Sequence, residues 1–292
     1  MSLTFKPLSA GIGVEVSGIE ISQPLDAATV VSIKKAWYEN CVILFRNQPI
    51  DHQQHVAFSR QFGPLDNHDL IARLRDPLHH EILPVAPQNE GGRTLVVGRQ
   101  WHTDMSCSVR PPAGSLLRCE VIPPTGGNTM FSNMYLAYET LSDTMKSLLA
   151  DLNGIHDLRV AKHNRGQDPK MILERTPPIA HPIVRVHPHS GRKALYVNEM
   201  TSAGIVGMTH EESQPILEFL FEHSTRPEFT YRHNWQVSDM IGWDNRCAMH
   251  LALADYDFNV PRQMYRTTLL GEPNGYILET EAVPQFLYNP RN

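Results

Sequence analysis

"MIGWDNRCAMHLALADYDFNVPRQMYRTTLL", residues 240–270, has a β-rich run at each end and a polar segment of Asp, Asn and Pro between them. The ends, MIGWDN (240–245) and QMYRTTLL (263–270), read as two short strands, and the intervening aspartates and Pro261 mark a change of direction. Upstream, EFTYRHNWQV (228–237) is another strand, closed by a Ser-Asp turn. Farther back, IVRVH (183–187) and KALYVNE (193–199) form a hairpin across His189, Ser190, Gly191 and Arg192, and SLLRCEVI (115–122) with TMFSN (129–133) form a second across PPTGGN. EILPVAP (81–87) and RTLVVG (93–98) add two more strands, and CVILFR (41–46) is apolar enough to be buried on both faces.

Helices punctuate these strands. Asp26 caps one that runs to about Asn40, with Val30, Ile33, Ala36 and Trp37 on one stripe; Asp51 caps another that Gly63 stops. A third starts near Ser142, buries Met145, Leu148, Leu149 and Leu152 and ends at Gly154. Thr209 and Glu212 make a capping box ahead of PILEFLFEH (215–223). Segment 161–180 is polar, proline-rich and without a regular pattern, as expected of a mobile lid or a disordered insertion, with the lid preferred. Short antiparallel strands without regular strand–helix alternation predict an α+β, mainly β fold: a double-stranded β-helix (jelly-roll, cupin-like) core with flanking helices, in one catalytic domain spanning 1–292.

The 26 basic and 31 acidic residues give a net charge of −5, with no basic run to track phosphates, so nucleic acid is not an expected partner. No apolar run approaches the ~18 residues of a membrane span, so no membrane is expected either. The four cysteines are scattered and form no CxxC pair, which points to free thiols in a reducing compartment and to a cytoplasmic protein. With 15 histidines, single ones carry little weight. Of His187 and His189, both flanking a turn, solvent exposure is expected.

RQWHTDMS (99–106) is more specific. His102 and Asp104 share one side of an extended chain and can meet one cation. About 0.7 such His-x-Asp pairs arise by chance in this composition, so the pair alone decides little. Two imidazoles and one carboxylate on one face leave open positions for a chelating cosubstrate and dioxygen on ferrous iron. His250, close after a strand, is the candidate third ligand.

W-H-T-D, G-G-N-T, W-D-N-R-x-x-x-H, D-Y and R-x-x-x-R-T-T occur in that order, with QFGPLDNH, PPAGSLL, HPIVRVHPHSGRKALYVNE and RPEFTYRHNW among them. From about Leu8 to Gly271 the chain thus resembles the Fe(II)/2-oxoglutarate-dependent dioxygenases of the taurine dioxygenase and 2,4-dichlorophenoxyacetate dioxygenase family. The resemblance implies that His102, Asp104 and His250 bind iron and that Arg262 and Thr129 hold the distal carboxylate of 2-oxoglutarate. It implies that His68 and Arg266 contact an anionic substrate, and that O2 is the oxidant, with succinate and CO2 as co-products. No catalytic side chain is implied beyond the ligands. Ile71 stands where the taurine enzyme has a tyrosine, and Gly98 where it has an asparagine, which favours a substrate with a hydrocarbon or aromatic body: an aryloxyalkanoate, alkylsulfonate or alkyl sulfate. The family also implies a homodimer or homotetramer. The alternatives are a non-catalytic cupin-like acid binder and a zinc hydrolase; the pair Thr129 and Arg262 is one that a zinc hydrolase does not need.

Overall fold

The computed structural model describes residues 2–90, 93–96, 98–164 and 167–279. Ten strands build the two sheets that carry the site: β1 (Thr4–Pro7), β2 (Val14–Ser17), β3 (Val42–Phe45), β4 (Leu83–Val85), β5 (Gly114–Val121), β6 (Thr129–Asn133), β7 (Thr230–His233), β8 (Met240–Asp244), β9 (Ala248–Ala252) and β10 (Gln263–Leu269). Beside them, Ser202–Ile205, Asn153–His156, Ile179–Pro182 and Tyr276–Ile277 form a separate four-stranded sheet. A seven-stranded sheet has the order β1-β2-β3-β8-β5-β10-β4, and a three-stranded sheet the order β7-β6-β9. Every pairing is antiparallel except β2 with β3. The fold is α+β and rich in sheet.

The two sheets share a core in which Leu117, Cys119, Trp243 and Met264 of the larger meet Phe131 and Met249 of the smaller. β3 is buried at every position, as its continuous apolar run requires. Helices Ala27–Asn40 and His52–Arg60 start where Asp26 and Asp51 accept backbone N–H groups, and Thr209 and Glu212 form their capping box on helix His210–Ser224. The hairpin of Val184–Val186 with Lys193–Leu195 is present.

Four sequence expectations are corrected. SLLRCEVI and TMFSN are strands but not a hairpin: β5 pairs with β8 and β10, whereas β6 pairs with β7 and β9, so PPTGGN carries the chain from one sheet to the other. The third helix spans only Asp143–Leu149; Leu148 is exposed, and Gly154 belongs to a strand, Asn153–His156, that pairs with Ile179–Pro182. Segment 161–180 contains a helix, Pro169–Arg175, capped by Asp168. His187 is fully buried, its Nε2 3.0 Å from Asp244 Oδ2, while His189 is exposed as expected. The buried carboxylate of Asp244, which also holds Arg246, needs that imidazole.

Among the described residues no helix is long and apolar enough to cross a membrane. All four cysteines are buried and free.

Candidate active site

His102 lies on an extended segment that enters the smaller sheet through a single bridge. Its N–H donates to His250 O (3.0 Å) and the His250 N–H donates to His102 O (2.8 Å), so the backbone itself sets the two imidazoles side by side, ring centroids 4.1 Å apart. Asp104 follows two residues later on the same side, and its Oδ1 lies 3.9 Å from His250 Nε2. One donor atom from each of the three falls within 4.8 Å of the others, and all three residues are buried.

The surroundings orient these donors. His102 Nδ1 sits 2.8 Å from Gln100 O, where it must carry its proton and leave Nε2 as the acceptor. Asp104 Oδ2 accepts from Ser115 Oγ (2.8 Å), and Oδ1 accepts from Arg266 (2.9 Å). Asn245, in the turn after β8, accepts the Asp104 N–H (3.3 Å) and donates to Ser115 Oγ (3.3 Å). Burial would push the Asp104 carboxyl up, but Arg266 and the two imidazoles outweigh it and hold the group well below the usual carboxylate range. Burial, aided by His102, lowers the His250 pKa well below the normal imidazole value, and its Nδ1 has no hydrogen-bond partner among the described residues.

His102 and His250 line a cavity of about 490 Å³ with Thr129, Arg262, Arg266 and Ile71. Leu83, Pro84, Val85, Val96 and Leu117 add apolar wall, and Arg73 and Leu74 stand near Ile71. Arg262 is 7% exposed. Its Nε donates to Gly127 O (3.1 Å), and among the described residues no carboxylate lies within ion-pair distance of its guanidinium. Gly127 has φ +67°, and a Cβ there would stand 3.2 Å from Arg262 Nε, so glycine lets the backbone reach the guanidinium. Gly98 is similarly constrained: at φ +84° its missing Cβ would lie 3.0 Å from His102 Cε1.

His68 does not line the cavity, but it is buried, in left-handed backbone (φ 55°), with no partner for Nε2 among the described residues. Burial, then the Arg266 charge, lowers its pKa. No described residue of 161–180 lines the cavity either. The second buried group of potential donors, His187, Asp244 and Cys247, is satisfied internally, because Asp244 already binds Arg246 and His187. No sequence signal marks Ser115 or Trp235 as part of the site, and the Tyr256 hydroxyl is buried beside Arg262 with no partner among the described residues. Only the D-Y motif hinted at Tyr256.

The donor set, two imidazole nitrogens and one ionised carboxylate without thiolate, suits ferrous iron, and His250 Nε2 stands 3.9 Å from Asp104 Oδ1, too far for a hydrogen bond and close enough to share one cation. The family model described as taurine catabolism dioxygenase TauD, TfdA family matches residues 4–268. The chain belongs to the TauD, TfdA family. It is 32% identical over 286 residues to the alpha-ketoglutarate-dependent 2,4-dichlorophenoxyacetate dioxygenase of Cupriavidus pinatubonensis, covering 93% of this chain and 99% of that protein. It is 32% identical over 292 residues to the alpha-ketoglutarate-dependent sulfate ester dioxygenase of Pseudomonas putida, covering 93% and 91%. The crystal structure of a taurine dioxygenase from Burkholderia xenovorans superposes with a TM-score of 0.82 at 37% identity, covering 96% and 95%. The protein is therefore an alpha-ketoglutarate-dependent dioxygenase, and the acid-binding and zinc-hydrolase alternatives fall away.

Proposed function

We propose that this dioxygenase uses Fe(II) held by His102, Asp104 and His250 to hydroxylate an aliphatic C–H bond of a small anionic organic acid. The acid has a hydrocarbon or aromatic body, of the aryloxyalkanoate, alkylsulfonate or alkyl sulfate type. Bound iron and 2-oxoglutarate supply dioxygen activation and C–H oxidation, with succinate and carbon dioxide as co-products.

The observation that carries the reading is Arg262: a buried guanidinium with no carboxylate partner among the described residues, lining the same cavity as two of the three proposed ligands. A buried cation of this kind fits a site completed by an anion, and its planar fork matches a carboxylate. Thr129 adds a hydroxyl from the same wall. Arg266, in the cavity wall with an Nε that has no partner among the described residues, supports its own assignment to the acid end of the substrate; His68, outside that wall, is assigned to the same end, and Ile71 with Leu74 and Leu83 supports an apolar body. Relatives named for 2,4-dichlorophenoxyacetate and for sulfate esters agree with that chemistry. We assign the two sheets to a double-stranded β-helix core and the chain to one catalytic domain in a reducing cytoplasm, acting as a homodimer or homotetramer. Segment 161–180 is assigned as a lid that excludes water. The bond from Lys162 N–H to Gln100 Oε1 (2.8 Å) ties its start to the segment bearing His102.

Anaerobic addition of Fe(II) and 2-oxoglutarate should produce a visible charge-transfer band, and admitting oxygen with a panel of these acids should yield succinate in step with product. Absence of both band and succinate would overturn the reading. Ser115→Ala should weaken metal affinity about 10–100-fold, because the Asp104 oxygen it holds becomes free to rotate. Metal titration in a competing chelator measures this, and unchanged affinity would assign the orientation of Asp104 to Asn245 and Arg266 alone.

A further inference from the structure

We propose that Trp235 is a positioning residue for the cosubstrate: its indole N–H commits the Thr129 hydroxyl to donate toward the distal carboxylate of 2-oxoglutarate. This rests on the reading of Thr129 and Arg262 as the carboxylate cradle.

Trp235 is buried, and its Nε1 lies 3.0 Å from Thr129 Oγ1. An indole nitrogen only donates, so the direction of this bond is settled without seeing hydrogens. A hydroxyl offers one hydrogen and two lone pairs; with Trp235 on a lone pair, the hydrogen must point elsewhere. Among the described residues no protein acceptor takes it, and Thr129 lines the cavity beside Arg262.

The indole cannot easily tip away. It packs edge-on against His233, ring centroids 4.5 Å apart at 89°. His233 is fixed in turn, with Nε2 3.1 Å from Asp239 Oδ2 and Nδ1 3.0 Å from the Tyr231 hydroxyl. Asp239, completely buried, also receives Arg46 and the Gln236 N–H. A network rooted 110 residues along the chain thus decides which way one threonine hydrogen points. Two convergent donors, Arg262 and Thr129, then require an acceptor that bears no proton, which an ionised carboxylate is and a terminal methyl is not. The device acts on the choice of oxo acid rather than on the oxidation.

The test compares wild type, Trp235→Phe, Thr129→Val and the double variant. Calorimetric binding of 2-oxoglutarate and of 2-oxopentanoate, which has the same carbon chain without the distal carboxylate, is measured on the Fe(II)-loaded protein without oxygen. Trp235→Phe should raise the Kd for 2-oxoglutarate about three- to tenfold, the value of one hydrogen bond. Affinity for 2-oxopentanoate and kcat at saturating cosubstrate should stay unchanged. Thr129→Val should have the larger effect, and adding Trp235→Phe to it should change nothing further. Trp235→His, which retains a ring N–H, should recover part of the affinity, and either Trp235 variant suffices if the other fails to fold. Equal weakening of both acids, or additivity in the double variant, would reduce Trp235 to packing and overturn the proposal. Wild-type 2-oxoglutarate affinity in Thr129→Val would instead overturn the cradle reading.

Discussion

Alanine at Asp104 or His250 is expected to abolish metal binding at micromolar concentration and to lower turnover by at least about a thousandfold, beyond the about 10–100-fold typical of losing only an outer partner. Neither change should unfold the protein. The bridge between residues 102 and 250 uses backbone groups, so truncating the His250 imidazole leaves both of its hydrogen bonds in place. The environments of the two residues predict different side effects. Asp104→Ala releases Arg266 and Ser115 together and leaves a half-buried guanidinium without its carboxylate, so this variant should be the less stable. His250→Ala removes a neutral ring with an unpartnered nitrogen. Metal content after dialysis, thermal midpoints and succinate formation check all of this. A variant that keeps stoichiometric metal and measurable turnover would exclude these residues as the iron ligands.

The parts of this molecule that sequence disclosed are those whose physics is local. Asp26, Asp51 and Thr209 each satisfy N–H groups within three residues, so each helix start is visible in a short window. His102 and Asp104 share a face because they are two apart, and only ordered motifs over most of the chain linked them to His250. What failed depended on distant partners. PPTGGN has the chemistry of a hairpin turn, yet Gly127 is there so that its carbonyl can meet Arg262, 135 residues away. The same distance effect hid His187, whose burial is forced by Asp244, and Trp235, whose indole acts on Thr129. Helix Pro169–Arg175 was missed for another reason: its Asp168 cap and N1 proline were legible, but the surrounding prolines masked so short a helix.

Arg262 gives the second large effect, and it separates binding from architecture by sign. Arg262→Gln should raise the Kd for 2-oxoglutarate on the order of 10²–10³-fold, since truncating one side of a buried charge pair costs about 2–5 kcal/mol. Arg262→Lys should fall between, because an ammonium keeps the charge but loses the fork. Without cosubstrate the expectation reverses. Burial already works against the Arg262 charge, and no described carboxylate offsets it, so removing it costs one hydrogen bond to Gly127 O and relieves a desolvated cation. The thermal midpoint of cosubstrate-free Arg262→Gln should therefore match or exceed that of wild type, while the stabilisation that 2-oxoglutarate confers on wild type should vanish. A structural arginine predicts the opposite pair: a lowered midpoint without cosubstrate and an intact shift with it. Thermal scans with and without 2-oxoglutarate in the presence of Mn(II) distinguish the two, and the structural outcome would remove the observation on which the proposed function rests.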